Sequence, residues 1–201
     1  MKRNHRPKTA HSPVRKRHAA TTRAAIRASA RKAFARAGYD GAGVREIAKG
    51  AGVSAMLVNR YFGSKERLFA EVVADAMAAP TILTAEFFSS AAPGAYMAAA
   101  LVRQTMPGAT PLDGFRIMFH SSSSARAARI GREQIEKRYQ KMLAEALPGK
   151  LSAERAALVL SLVAGVQVMR QMIGLAALVH ADPAALAGIL APVLQRLIAG
   201  E

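Results

Sequence analysis

The sequence predicts an all-α fold, in which an N-terminal three-helix unit precedes a larger helical bundle. Alanine, leucine and arginine are abundant, and all three favour helices. Apolar residues make up 51% of the chain and recur at spacings of three and four, without the alternation that predicts strands. Prolines and glycines separate helical segments by short loops, which is the pattern of a helical bundle.

The helices can be placed from the residues that begin and end them. In the first part of the chain, Gly38 and Gly63 end helices, while Ser54 and Ser64 can cap the helices that follow. These signals predict four helices, over residues 21–37, 44–50, 54–62 and 65–78. Prolines separate six more, near residues 82–90, 94–105, 112–120, 124–147, 152–178 and 184–199.

The chain is predicted to have three parts. Residues 1–20 form a disordered basic arm, residues 21–78 the N-terminal unit, and residues 79–201 the larger helical domain. The net charge is +16, and residues 1–22 alone carry seven lysines and arginines and no acid. Such a surface can bind nucleic acid, because phosphate contacts release condensed counterions, and a solvated basic surface is the alternative.

The composition excludes several classes of site. Without cysteine, the chain cannot form disulfides, thiol catalysts or cysteine-based zinc or iron–sulfur sites. No metal site or cofactor is predicted, because the histidines of the arm have neither fixed spacing nor acidic partners. No secretory signal follows the basic N-terminus, and the apolar run 156–169 is too short to span a bilayer. We therefore expect a soluble, cytoplasmic protein with no membrane partner.

Residues 44–62 have the pattern of a helix-turn-helix. Two short helices that cross steeply need a small residue at the crossing and a turn residue without a Cβ, which Ala48 and Gly52 provide. Ile47 and Val58 are among the apolar residues that bury both helices. The alternative is a pair of ordinary short helices. The predicted DNA-binding residues are Arg45, Ser54, Ala55, Met56, Leu57, Asn59, Arg60, Tyr61 and Lys65.

The second helix of this unit would lie in the major groove with its N-terminal end toward the base edges. Asn59 can pair with adenine, and Arg60 can contact guanine or phosphate. Residues 55–57 offer methyl surface for thymine methyl groups. Lys65 begins a helix, where amide groups and its ammonium can hold a phosphate, and Arg45 can add another such contact.

The segment from Thr22 to Val73 resembles the DNA-binding domain of the TetR family of transcriptional regulators. The matching residues are Phe34, Gly38-Tyr39, 44–48, 51–54, Tyr61-Phe62 and 64–68. The C-terminal part resembles one of the family's variable domains more weakly, through Phe115-Arg116, Ser121 to Ser124, Gly165 and 190–195. The sequence departs from the family at Gly43, Asn59 and Met56-Leu57, where threonine, tyrosine and glycine-threonine are common.

The resemblance implies a homodimer that binds double-stranded operator DNA and whose larger domain often binds a small-molecule effector in this family. We interpret the chain as a repressor released by such an effector; an activator, or a regulator without an effector, is the alternative. Residues 21–78 would then be the DNA-binding domain, and residues 79–201 would dimerise and bind the effector. The identity of the effector and the operator sequence cannot be inferred from the family.

The larger domain contains no recognisable catalytic constellation. Ser121 to Ser124 lack a paired histidine and aspartate, and His120 and His180 are isolated. Aromatic and methionine side chains on its predicted helices, with a few polar residues nearby, predict an effector pocket, for which a plain core is the alternative. The predicted lining residues are Phe87, Tyr96, Met97, Arg103, Phe115, Phe119, Gln167 and Arg170.

The last two predicted helices are more apolar than one packing face requires. A monomer would expose much of this surface, and apolar patches of that size usually mark an interface. Two such helices from each subunit would form a four-helix bundle about a two-fold axis. The predicted interface residues are Leu158, Leu162, Val166, Ile173, Leu186, Leu190 and Leu194.

Two other classes of protein remain as alternatives. A helical enzyme with a basic tail is disfavoured because no catalytic cluster is present. A membrane-surface or partner-binding helical protein would suit the basic arm, but it would not need a helix-turn-helix. We therefore predict a DNA-binding transcriptional regulator that is not an enzyme.

Overall fold

The computed structural model describes residues 13–78, 82–106 and 113–200, in which every regular element is a helix and no strand occurs. The all-α prediction is confirmed. The first four helices are α1 (Pro13–Gly41), α2 (Val44–Gly50), α3 (Ala55–Phe62) and α4 (Lys65–Ala76). The helices of the larger domain are α5 (Ala85–Ser89), α6 (Pro93–Gln104), α7 (Asp113–His120), α8 (Ala125–Ile135), α9 (Lys141–Ala146), α10 (Ser152–Gln167), α11 (Ala176–Val179) and α12 (Pro183–Ala199).

Helix α1 begins at Pro13, earlier than the predicted start at residue 21 or 22. Proline suits the first turn of a helix, because the amide hydrogen that it lacks would have no partner there. The residues that follow are mostly good helix formers. Residues 13–20 are therefore helical rather than irregular, and the rest of the predicted arm, residues 1–12, lies outside the described residues.

Two predicted long helices contain π-helical turns. Glu136–Gln140 joins α8 to α9, and Val168–Met172 follows α10. The predicted helix 152–178 then ends at Gly174, which has a φ of +71° and cannot continue a helix in that conformation. Because a π turn holds an extra residue, it rotates the side chains beyond it relative to a regular helix, and such turns are common at functional sites.

The buried apolar residues form two hydrophobic cores, and the first, around α1 to α4, also includes residues of α7 and α8. In the head (residues 13–78), the Phe69 ring packs edge-on against those of Phe34 and Tyr39, with ring centroids 5.0 Å apart in each pair. In the larger domain, α6 and α12 approach closely at Gly94, where an added Cβ would lie 2.6 Å from the backbone nitrogen of Gln195. The Gly94 amide donates a hydrogen bond to Gln195 Oε1 at 2.9 Å.

Helix α7 joins the larger domain to the head by packing along α1. Polar contacts bind both of its ends. They are Arg31 Nε to Asp113 Oδ2 (2.9 Å), His120 Nδ1 to the Ala35 carbonyl (2.8 Å) and the Tyr39 amide to Ser121 Oγ (2.9 Å). The path of α1 breaks at Gly38, as the sequence predicts, with a φ of +67°. This break brings the Gly38 Cα against the backbone of His120.

The substitution Gly38→Ala is expected to loosen the junction between the domains. Its Cβ would collide with the His120 carbonyl oxygen in addition to straining the backbone. Gly52→Ala is the matched control, because Gly52 has the same φ of +67° and nothing within 4 Å of an added Cβ. We expect the control to lose about 1–2 kcal/mol of unfolding free energy and Gly38→Ala clearly more. Denaturant unfolding of both variants measures the loss of unfolding free energy. Equal losses would show that the close approach to His120 adds nothing to the effect of Gly38→Ala.

Candidate nucleic-acid interface and internal cavity

The helix-turn-helix is formed by α2, α3 and the turn between them. Ala48 is buried, and its carbonyl accepts a hydrogen bond from Val53 N at 3.0 Å. Gly52, in the turn, has a positive φ that glycine adopts without strain. Ser54 caps α3, with its Oγ accepting a hydrogen bond from Leu57 N at 3.3 Å. The turn and the cap thus have the geometry that the sequence predicts.

One side of α3 is buried and the other is open. Val58 and Phe62 lie in the core of the head, whereas Asn59 and Arg60 are exposed and Met56 is 81% exposed. The half-buried side chains on this helix are Ala55, Leu57 and Tyr61. The open side therefore presents an amide, a guanidinium and a thioether, which are groups that can contact base edges in a major groove.

Positive side chains lie on the helices that precede and follow α3 in the chain. Arg45 and Lys49 are exposed on α2 and form no ion pair within the described ranges. Lys65 lies at the N-terminus of α4, with its Nζ 4.6 Å from the centre of the Tyr39 ring and 3.5 Å from the Asp40 carbonyl oxygen. These contacts hold the ammonium against the end of α1, while Lys65 itself is the first residue of α4. An ammonium and a helix N-terminus are both groups that can bind a phosphate.

A cavity of about 470 Å³ lies in the larger domain and reaches the end of α4. Its wall is mainly apolar, with Leu101 from α6, Met118 from α7 and Val163 from α10. The volume falls within the usual range for small-molecule sites. The cavity can therefore hold an organic ligand.

The cavity wall is linked to the head through Tyr139. This residue lies on the π turn between α8 and α9, and its hydroxyl donates a hydrogen bond to the carbonyl of Met77, just after α4. Both residues line the cavity. The Tyr139 phenol is protonated and able to donate at neutral pH, and burial raises its pKa further. A ligand in the cavity would thus touch the group that ties the wall to α4.

Comparison with known families identifies the fold. The profile of the bacterial regulatory proteins of the tetR family matches residues 26–72, which contain the whole helix-turn-helix. The profile of the tetracyclin repressor-like C-terminal domain matches residues 93–198, more than half of the chain. The chain belongs to the TetR family. No curated protein sequence matches it.

Solved TetR-family structures have the same architecture. A TetR-family regulator from Streptomyces coelicolor A3 is 24% identical, with 94% of this chain and 99% of that chain covered and a TM-score of 0.53. A putative transcriptional regulator from Streptomyces coelicolor is 26% identical, with 88% and 97% covered and a TM-score of 0.56. A putative TetR-family regulator from a Rhodococcus species is 15% identical, with 90% and 100% covered and a TM-score of 0.64.

Half of the predicted pocket residues lie on the wall of the cavity in this TetR-family domain. They are Met97, Phe115, Phe119 and Gln167. The other four lie elsewhere, which corrects the predicted lining. Phe87 is buried in the core of the larger domain, Tyr96 bonds to the Thr84 hydroxyl at 2.9 Å, and Arg103 is exposed. Arg170 is buried and donates to the carbonyls of Val102 and Leu178.

Sequence reasoning missed the part of the wall nearest the head, which includes Met77 and Tyr139. The helix 124–147 was expected to be regular. The π turn at Glu136–Gln140 changes the direction of the Tyr139 side chain relative to such a helix. One signal was available: Tyr139 is an aromatic residue within a polar run, and a lone aromatic in such a run indicates a partly buried position.

Helices α10 and α12 and the turn after α10 expose apolar side chains, which we together call the outer face. It contains Leu158 on α10 (54% exposed), Met169 and Ile173 (46% and 62%) after it, and Ile189 and Val193 on α12 (69% and 49%). The predicted interface residues Leu162 and Val166 are half-buried and pack against the core. The outer face is thus apolar without belonging to the core.

Three predicted interface residues are corrected by the structure. Leu186, Leu190 and Leu194 are 7%, 8% and 0% exposed, because this side of α12 packs against α6 within the same chain. They stabilise the monomer. The apolar residues one position before two of them, Ile189 and Val193, face outward instead.

Proposed function

We propose that this TetR-family DNA-binding regulator is a homodimeric repressor, which leaves its operator when a small molecule occupies the cavity of the larger domain. The observation that supports it best is the position of the cavity. Its wall includes the end of α4, which supports the recognition helix, and α7, whose other side packs along α1. A change in the wall therefore acts directly on both helices that carry the head.

The recognition helix in this proposal is α3. Asn59 and Arg60 read base edges, and Met56 and Leu57 contact thymine methyl groups. Arg45, Lys49 and Lys65 bind phosphates and set the position of the head on the duplex. The helix cap at Ser54 and the partly buried Tyr61, whose carbonyl accepts a hydrogen bond from Arg23 at 2.9 Å, hold α3 in place.

The second copy of the chain binds at the outer face. This face is apolar on both α10 and α12, and two copies related by a two-fold axis would bury it in a four-helix bundle. Residues Ser152–Met172 are also long and apolar enough to cross a membrane by length and composition, a test that core helices of soluble proteins pass too. Dimerisation accounts for this surface within a DNA-binding protein, because a dimer would present two heads to one duplex.

The coupling between cavity and head is expected to depend on Tyr139. Tyr139→Phe keeps the ring and removes the hydrogen bond to the Met77 carbonyl, so movement of the wall is transmitted less well to α4. For a compound that stabilises the protein in a thermal-shift screen, we expect the ligand-induced loss of operator affinity to shrink by about 5-fold, the value of one typical hydrogen bond.

Tyr96→Phe is the matched control, because Tyr96 bonds to Thr84 and does not line the cavity. Operator affinity with and without ligand, measured for both variants and the wild type, gives the coupling. Ligand affinity should be nearly unchanged in both. A Tyr139→Phe protein that releases DNA as fully as the wild type would contradict this route.

A mobility-shift titration with the region upstream of the gene tests the DNA-binding part of the proposal. We expect a complex that weakens steeply as salt is raised, since several lysines and arginines would contact phosphate. An unrelated duplex of equal length should bind less tightly.

A further inference from the structure

The cavity wall offers a ligand no charged side chain among the residues that the structure describes. Its polar residues are Gln104, Thr105, Tyr139 and Gln167, and the other lining residues are apolar. The undescribed stretches that adjoin it in the chain, residues 79–81 and 107–112, contain no charged residue in their sequence either. A charged ligand would therefore lose its hydration without gaining an ion pair.

A buried arginine behind the wall makes a cationic ligand still less favourable. Arg170 is 3% exposed and donates to Val102 O at 2.6 Å, Thr105 Oγ1 at 3.0 Å and Leu178 O at 3.0 Å. The guanidinium is thus surrounded by acceptors, and one of them, the Val102 carbonyl, lies near the C-terminal end of α6, where the helix dipole is negative. No carboxylate within the described part of the wall would offset a second positive charge.

Most polar groups of the wall already have partners. The Thr105 hydroxyl donates to the Leu101 carbonyl at 2.7 Å and accepts from Arg170, and the Tyr139 hydroxyl donates to Met77. The Gln167 side-chain amide, by contrast, forms no hydrogen bond with another residue in the described ranges. It can both donate to and accept from a ligand.

We propose that the cavity selects uncharged, mainly apolar molecules that carry one hydrogen-bonding group, which binds Gln167. Release of DNA by such a ligand rests on the proposed function. The preference of the cavity for uncharged ligands does not require DNA. Burial in a cavity of about 470 Å³ supplies the affinity, and Gln167 determines which apolar molecules are preferred.

The charge preference can be tested with two fluorescent probes that share one skeleton. N-phenyl-1-naphthylamine is neutral, and 1-anilinonaphthalene-8-sulfonate adds a negative charge. We expect the neutral probe to bind the cavity at least about 10-fold more tightly in 0.3 M salt, which screens the attraction of the sulfonate to a chain of net charge +16. Tighter cavity binding of the sulfonate would overturn the proposal.

A variant that fills the cavity assigns the fluorescence signal to this site. Ala164 lines the wall, so Ala164→Phe should remove most of the binding of the neutral probe. Ala153→Phe makes the same change at an exposed position on α10 outside the wall and should leave it intact. If the neutral probe binds Ala164→Phe as well as it binds the wild type, its site lies elsewhere and the proposal fails.

The role of Gln167 is tested with two neutral ligands of similar shape, 2-acetylnaphthalene and 2-isopropylnaphthalene, which differ in the carbonyl oxygen. Gln167→Met keeps the length of the side chain and removes the amide. We expect Gln167→Met to weaken the binding of 2-acetylnaphthalene about 5-fold and to leave the binding of 2-isopropylnaphthalene unchanged. Equal effects on both compounds would contradict the assignment.

Adding operator DNA to the same titrations separates this inference from the proposed function. If neutral ligands fill the cavity and the operator complex is unaffected, the charge selection stands and the proposed release is wrong. If the sulfonate is preferred in the cavity and releases the operator, the release stands and the charge selection is wrong.

Discussion

Replacing Ile189 and Val193 together by glutamate is expected to convert the proposed dimer into folded monomers. Both side chains project from the outer face, so charge at these positions would be buried against its own copy at the two-fold axis. A monomer has one head, so it makes half of the DNA contacts of a dimer. It also loses the gain in affinity that comes from linking two heads. Operator affinity should accordingly fall by about 100-fold or more.

Sedimentation measures the oligomeric state of this variant, and circular dichroism shows whether it is folded. Met142→Glu is the control, because it places a glutamate at another exposed apolar residue, on α9, and should leave the dimer intact. Leu190→Glu is expected to unfold the larger domain instead, since Leu190 lies in its core. A folded, dimeric Ile189→Glu, Val193→Glu protein would place the interface elsewhere.

The substitution Asn59→Ala is expected to reduce discrimination between sequences. Asn59 is exposed on α3, and an asparagine that pairs bidentately with adenine contributes about 1–3 kcal/mol to recognition of that base. The operator complex should weaken by that amount, while binding to random DNA changes little. Competition titrations with both DNAs measure the difference.

Arg45→Ala serves as the contrasting variant. Arg45 is exposed on α2, and a phosphate contact carries no sequence information. Its loss should weaken binding to all DNA alike and lower the slope of log affinity against log salt by about 0.9. If Asn59→Ala gives the same uniform loss, Asn59 does not read a base.

The helix-turn-helix was predictable because its determinants are local. Ala48, Gly52 and Ser54 specify a crossing, a turn and a cap within seven residues, and the structure places all three as expected. The general positions of the later helices followed in the same way from their prolines and glycines. The start of α1 was missed because Pro13 indicates a loop as readily as a first helical turn.

The interface and the cavity depend on packing between distant segments, which the sequence pattern does not specify. α12 is apolar on two sides, and only its contact with α6 shows that Leu190 faces the core and Ile189 faces outward. Likewise, Tyr139 reaches the cavity through a π turn that no helical periodicity indicates. Arg170 was assigned to the pocket because it lies among apolar residues. Its guanidinium instead donates hydrogen bonds to backbone carbonyls.

A footprint on the region upstream of the gene tests most directly whether this chain is a dimeric reader of operator DNA. The account predicts one protected inverted repeat, with half-sites on the same side of the duplex and about 34–36 Å, or a multiple of that, between their centres. Protection should disappear in the Ile189→Glu, Val193→Glu variant at concentrations that saturate the wild type. Protection spread evenly along the DNA, or a single half-site bound equally well by the monomeric variant, would contradict it.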